Sequence, residues 1–157
     1  MIIISHRGNT TGPGSCIENH PASIDTAIEL GFDVEIDLWV TDELELFLGH
    51  DYPEFQIQLS WLTSRQHTIW VHCKNMGALE FLTNYKNSLR FFFHQTDDYV
   101  LTSQGDIWVY PGKLPPKNSI IVLPELSQDW NENLKLDENL YGICTDFPVA
   151  VSRAQKN

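Results

Sequence analysis

Two carboxylates, Glu35 and Asp37, stand two residues apart in a segment that alternates apolar and acidic residues. Phe32, Val34, Ile36 and Leu38 take one side, Asp33, Glu35 and Asp37 the other. An alternation of period two is that of a β-strand, so both carboxylates point to one face. Like charges that close are costly unless a cation neutralises them, and oxygen ligands suit Mg²⁺ or Ca²⁺. The competing account is an exposed polar face on an edge strand, which a central, covered strand disfavours. His6 and His50 each follow an apolar run directly. Two imidazoles flanking a carboxylate pair suit a general acid and a general base on opposite sides of one reacting group. Arg7 presents a planar fork suited to a phosphate or a carboxylate, with a salt bridge to Glu18 as the plainer reading.

These side chains need elements to position them. Residues 2–5 read as a buried strand, 8–16 as a loop rich in Gly and Pro, and 22–30 as a helix opened by Pro21 and closed by Gly31. Strands follow at 32–40 and 44–48, a helix at 57–66, a strand at 68–73, a helix at 76–85 and an aromatic strand at 89–93. Beyond residue 93 the character changes. Short strands are expected at 99–101, 107–110, 119–123 and 141–145, with a polar, helix-poor stretch at 131–139 and a short closing helix at 149–155. The first half is an α/β parallel design, and the second half is the same design with helices pared away. In such designs ligands gather at the carboxyl ends of strands. The expected strands end on His6 and Arg7, Glu35 and Asp37, His50 and Asp51, His72 and Lys74, His94, Glu125, and Asp146.

The chain has 157 residues, which favours a single domain, and ordinary globular composition with 42% hydrophobic and 20% charged residues. Its formal charge of -11 repels nucleic-acid backbones and anionic lipid surfaces, so no nucleic acid and no membrane insertion are expected. Three widely spaced cysteines form no disulfide or zinc-ribbon pattern. With no signal-peptide pattern and no long apolar run, a cytoplasmic location is the default.

The ordered set His6-Arg7-Gly8, Glu18-Asn19, Ala27, Gly31-x-Asp33, Glu35-x-Asp37, Thr41-Asp42 and His50-Asp51 resembles the N-terminal signature of the glycerophosphodiester phosphodiesterase family. Gly142-x-x-x-Thr145-Asp146-x-Pro148 is similar to that family's last strand. The resemblance implies a TIM-type barrel and phosphoric diester hydrolysis. It implies His6 and His50 as the catalytic pair, Arg7 and Lys74 at the phosphate, Glu35 and Asp37 as metal ligands, and Glu18 and Asp51 orienting their neighbours. A full (β/α)8 barrel takes about 250 residues. The expected fold is therefore a reduced TIM-type (β/α) barrel of about eight short strands, with helices missing in the second half.

One departure stands out. The family carries Glu-x-Lys where this chain has His72-Cys73-Lys74. An imidazole there weakens Mg²⁺ or Ca²⁺ and favours Mn²⁺ or Zn²⁺, unless Glu125 supplies an oxygen instead. His94 and Trp108 lie in a stretch outside the resemblance, as aromatic walls for a small alcohol group or as packing. Cys73 is expected to face away from the site. The function expected is a metal-assisted phosphodiesterase on a small soluble phosphodiester. A non-catalytic phosphate-ester-binding barrel and a phosphoryl-transfer lyase that forms a cyclic product stand as alternatives.

Overall fold

The computed structural model describes residues 1–127 and 139–156, so most of the polar stretch 131–139 lies outside the described residues. Its strands are Ile2–His6 (β1), Asp33–Val40 (β2), Leu46–Leu48 (β3), Phe55–Ile57 (β4), Ile69–Cys73 (β5), Arg90–Phe93 (β6), Tyr99–Leu101 (β7), Ile107–Val109 (β8), Ser119–Val122 (β9) and Gly142–Thr145 (β10). Seven of them run parallel in the order β6-β5-β2-β1-β10-β9-β8. The short strands β3 and β4 form an antiparallel extension of β2, and β7 folds back on β8.

The result is a reduced TIM-type barrel whose sheet stays open between β6 and β8. Eight strands were expected around the barrel, and the described residues supply seven parallel ones. At the seam Ser103 stands in for a missing strand. Its backbone N–H donates to the Phe91 carbonyl at 2.7 Å, and its hydroxyl accepts from Phe91 N at 3.1 Å. That satisfies backbone groups an open edge would leave bare.

Helices flank the first half: Pro21–Glu29 (α1), Leu59–Thr63 (α2) and Met76–Thr83 (α3), with Pro148–Gln155 (α4) closing the chain. Between β6 and β10 the described residues hold only a 3₁₀ turn, Pro124–Leu126. Pro21 opens α1, where a missing N–H costs nothing, and the His20 ring accepts from Ala22 N. Asn75 caps α3 by accepting from Ala78 N at 2.9 Å. The helix expected over 57–66 is shorter. Phe55-x-Ile57 alternates with the pleat and pairs with β3, so Ile57 goes into the core as strand.

Alternation along the parallel strands builds two cores. Val34, Ile36 and Leu38 of β2, with Val71 and Cys73 of β5, face outward against Ile24, Ala78 and Leu82 of the helices. Ile4, Trp70, Phe92, Trp108, Ile120 and Cys144 face inward and fill the lumen. Phe92 and Trp108 have ring centroids 4.6 Å apart, and Trp70 and Trp108 5.9 Å. Each buried indole removes roughly 150–250 Å² from water, on the order of 4–6 kcal/mol of driving force. Below them Asp33 accepts from Trp70 Nε1 at 2.8 Å and pairs with Arg90 at 3.2 Å. Bulky residues thus plug the amino end of the barrel, and the polar inward positions remain at the carboxyl end. No helix among the described residues is long and apolar enough to cross a membrane.

Candidate active site

Parallel register aligns the inward residues of successive strands. His6 lies across from Glu35, and Asp37 across from His72. Above the aromatic plug His6, Glu35 and His72 line a cavity of about 480 Å³ together with His50, Lys74, His94 and Tyr110, and Asp37 lies buried behind them.

The β1 end turns sharply into the first loop. Arg7 and Asn19 adopt left-handed backbone conformations, at φ 54° and 59°. Gly8, at φ 88°, lies where a Cβ would meet the Ser23 backbone at 3.1 Å, so only glycine fits without strain. The turn carries Arg7 back over the barrel mouth. Its Nε lies 2.8 Å from Asp37 Oδ2 and its Nη1 3.3 Å from Glu18 Oε2. The Nε contact is an ion pair by distance but lies off the angle of a hydrogen bond.

Asp37 is fully buried and its carboxylate is ringed by donors. Oδ2 accepts from Asn19 Nδ2 at 2.9 Å, and Oδ1 lies 3.0 Å from His72 Nδ1 and 3.4 Å from Lys74 Nζ. Burial alone would raise its pKa; the His72 contact, then the Arg7 charge, override that and hold it well below the usual carboxylate range. Glu35, two residues earlier, goes the other way. Burial and the neighbouring Asp37 charge raise it. Its Oε2 is buried with no hydrogen-bond partner among the described residues.

His6 and His50 share a design. His6 Nδ1 lies 2.8 Å from Asp146 Oδ1, and His50 Nδ1 lies 2.7 Å from Asp51 Oδ1. In each ring Nδ1 faces a carboxylate and Nε2 is the nitrogen left for chemistry. Their electrostatics differ. Burial works to lower the His6 pKa, but the Asp146 hydrogen bond and the Glu35 charge outweigh it and leave it raised. For His50, burial and then the charge of Arg7 prevail over Asp37 and Asp51 and leave it lowered.

The donor set of Glu35, Asp37 and His72 fits a divalent cation. One ligand atom from each lies within 4.8 Å of the others. His72 Nε2 is 3.3 Å from the His94 carbonyl, an acceptor that calls for a proton on Nε2. Nδ1 faces Asp37 Oδ1 at 3.0 Å and Glu35 Oε1 at 3.8 Å, as a donor to Asp37 or, with a cation bound, as a ligand. Lone pairs converging this way repel unless a cation, or a proton on Nδ1, sits among them. The orphaned Glu35 Oε2 points to the same need. Among the described residues, Glu18, Glu35, Asp37 and Asp146 around the mouth face Arg7 and Lys74 as fixed cations, which leaves room for positive charge.

One expected assignment changes. Glu125 does not join this group. Its Oε1 accepts from Thr145 Oγ1 at 2.8 Å and from Asp146 N at 2.7 Å, which ties it to the end of β10. Trp108 is 1% exposed and packs in the lumen core, and it lines the floor of the cavity. Beside it, His94 stacks on Tyr110 to form the aromatic wall, with centroids 3.6 Å apart. Burial, then His72, lowers the His94 pKa. Cys73 faces outward as expected, and burial pushes its thiol up to about 12.

Sequence reasoning passed over two amides. Asn9 Nδ2 donates to Asp146 Oδ1 at 2.9 Å and to Glu18 Oε1 at 2.7 Å, and Asn19 holds Asp37 through side chain and backbone. Asp146 was visible as a strand-end carboxylate; its pairing with His6 required the β1–β10 register.

No family model matches the chain, and no match was found among curated proteins. Solved structures do match. One, from Galdieria sulphuraria and assigned as a glycerophosphodiester phosphodiesterase, aligns at TM-score 0.59 and 14% identity over 99% of this chain and 98% of its own. Another, a glycerophosphodiester phosphodiesterase from Parabacteroides distasonis, aligns at TM-score 0.54 and 15% identity over 98% of each chain. Over almost its whole length, this chain therefore has the fold of solved structures of glycerophosphodiester phosphodiesterases.

Proposed function

We propose that this chain is a metal-assisted phosphodiesterase that hydrolyses a small phosphodiester in the cytoplasm. The observation that carries the reading is the convergence of His6, His50, Arg7 and Lys74 on one cavity beside the Glu35, Asp37 and His72 donor group. The likeness of fold supports it. In this reading Arg7 and Lys74 meet the phosphate oxygens and offset their charge. Glu35, Asp37 and His72 hold a divalent cation, which when bound adds Lewis acidity at the phosphate. A nitrogen ligand beside two carboxylates favours Mn²⁺ or Zn²⁺ over Mg²⁺ or Ca²⁺.

His50, whose pKa burial and then the Arg7 charge lower, takes the proton of the attacking water. His6, whose protonated form Asp146 and Glu35 favour, gives a proton to the leaving alkoxide. His94 and Tyr110 form the wall against which the alcohol group rests. The acidic surface keeps polyanionic nucleic acid and anionic membranes from competing for the mouth.

The test is hydrolysis of simple alkyl phosphodiesters with and without EDTA, comparing wild type with His6→Ala and His50→Ala. Each substitution is expected to lower the rate by about 10²–10⁴-fold. Turnover indifferent to both substitutions would sink the mechanism. Phosphate-ester binding with no product would return the chain to a binding role.

A further inference from the structure

We propose that Asp146 is the positioning residue for His6, and that a brace of Glu125 and Asn9 fixes it in that task; the proposal rests on the phosphodiesterase reading above. Asp146 follows the last strand, and His6 ends the first. Because β1 and β10 pair in parallel with Ser5 beside Thr145, the next residues of each strand meet at the barrel mouth. There Asp146 Oδ1 takes two N–H donors, His6 Nδ1 at 2.8 Å and Asn9 Nδ2 at 2.9 Å. The backbone that carries this carboxylate is held from behind. Glu125 Oε1 accepts from Asp146 N at 2.7 Å and from Thr145 Oγ1 at 2.8 Å, and Thr145 Oγ1 accepts from Phe147 N at 3.0 Å. The His6 ring, already flanked by Glu35 with Nε2 4.0 Å from Oε2, cannot turn without breaking the Asp146 contact.

The consequence is a defined tautomer. A carboxylate on Nδ1 keeps a proton there, and Nε2 becomes the atom that exchanges a proton with the reacting group. Asn9 extends the device. Its two amide protons go to Asp146 and to Glu18, and Glu18 holds Arg7. One side chain therefore ties the placement of the proton-transferring imidazole to that of the phosphate-binding guanidinium. Such orientation counts because a misplacement of about 1 Å costs about 100-fold in rate.

The experiment combines kinetics with histidine ¹⁵N NMR on wild type, His6→Ala, Asp146→Ala, Asp146→Asn and Glu125→Gln, with circular dichroism to confirm folding. Asp146→Ala is expected to lose about 100-fold in kcat with KM unchanged. Asp146→Asn, which can keep an acceptor on Nδ1, is expected to recover part of that loss, and it serves as the readout if the alanine variant does not fold. Glu125→Gln is expected to lose less. In wild type the His6 signals should report a protonated Nδ1, and Asp146→Ala should scatter them between tautomers. Wild-type kcat in Asp146→Ala, or an unchanged His6 tautomer in that variant, overturns the proposal. A wild type without turnover fails the phosphodiesterase reading alone. The NMR arm then still decides: loss of the Nδ1–H form in Asp146→Ala supports positioning, and its persistence rejects it.

Discussion

Replacing Asp37 by Asn removes one negative charge and leaves the shape of the side chain. The buried carboxylate faces Arg7 Nε at 2.8 Å, His72 Nδ1 at 3.0 Å and Lys74 Nζ at 3.4 Å. With an effective dielectric near 20, each full cation contributes roughly 5–6 kcal/mol of attraction before the cost of leaving water. That cost offsets much of it, and breaking a buried pair by removing one partner typically costs about 3–5 kcal/mol. An amide adds a further problem: whichever way it turns, its NH₂ meets donors on Asn19 or on Lys74. For a chain of this length a loss of 3–5 kcal/mol lowers Tm by roughly 6–20 °C. The assay is urea and thermal unfolding in EDTA, with exposed Asp42→Asn as the control, expected within about 0.5 kcal/mol of wild type. The pH dependence gives an internal check. A carboxylate whose folded pKa is depressed contributes stability above its unfolded pKa and loses it as pH falls through the folded value. The difference between wild type and variant should be full at neutral pH and shrink below about pH 4. A difference under about 1 kcal/mol at neutral pH refutes the claim that Asp37 is the anchor of the cationic cluster.

Leaving groups separate the histidines: His6→Ala should spare p-nitrophenyl phosphodiesters, whose leaving group needs no proton, and His50→Ala should lose activity on these and on alkyl diesters alike. Equal losses on both substrates in both variants would contradict this division of acid and base roles. The pH–rate profile of kcat/KM should be bell-shaped, rising through a pKa below 6.5 as His50 deprotonates and falling through one above 6.5 as His6 does. A single plateau would exclude paired acid–base action. His72→Glu supplies a third carboxylate and should tighten Ca²⁺ relative to Mn²⁺ by at least about 10-fold in competition titrations, since carboxylates suit the harder ion. Trp108→Ala should cost about 3–5 kcal/mol in denaturant unfolding, as a core cavity does, and a change in KM without that loss would assign it as a ligand contact instead.

Much of this architecture is legible in the chain because its periods are clean. The alternation around Glu35 and Asp37, the punctuation by Pro21 and Gly31, and the ionisable residues after apolar runs each have a local cause. What stays hidden is local ambiguity or long-range register. Phe55-x-Ile57 is too short for its period to outvote a neighbouring helical pattern, and only pairing with β3 decides it. Glu125 follows a strand, as a ligand would, yet the left-handed Leu123 and the 3₁₀ turn swing it onto the β10 end. Trp108 reads as a cavity wall or as a core plug, and it is both: Trp70 and Phe92 close around it while it lines the cavity floor. The chain's length acquires a structural cause as well. The strands and their carboxyl-end residues are kept, no α-helix lies between β6 and β10 among the described residues, and two tryptophans fill a lumen of seven parallel strands.

The central claim is that the residues at the barrel mouth hydrolyse a phosphodiester with a bound cation. Phosphorus NMR of a glycerophosphodiester incubated with metal-stripped protein, and again after Mn²⁺ is restored, tests it most directly. A phosphomonoester resonance that grows only in the second sample is the expected result. An unchanged diester signal in both samples, or growth at the same rate in both, would contradict it.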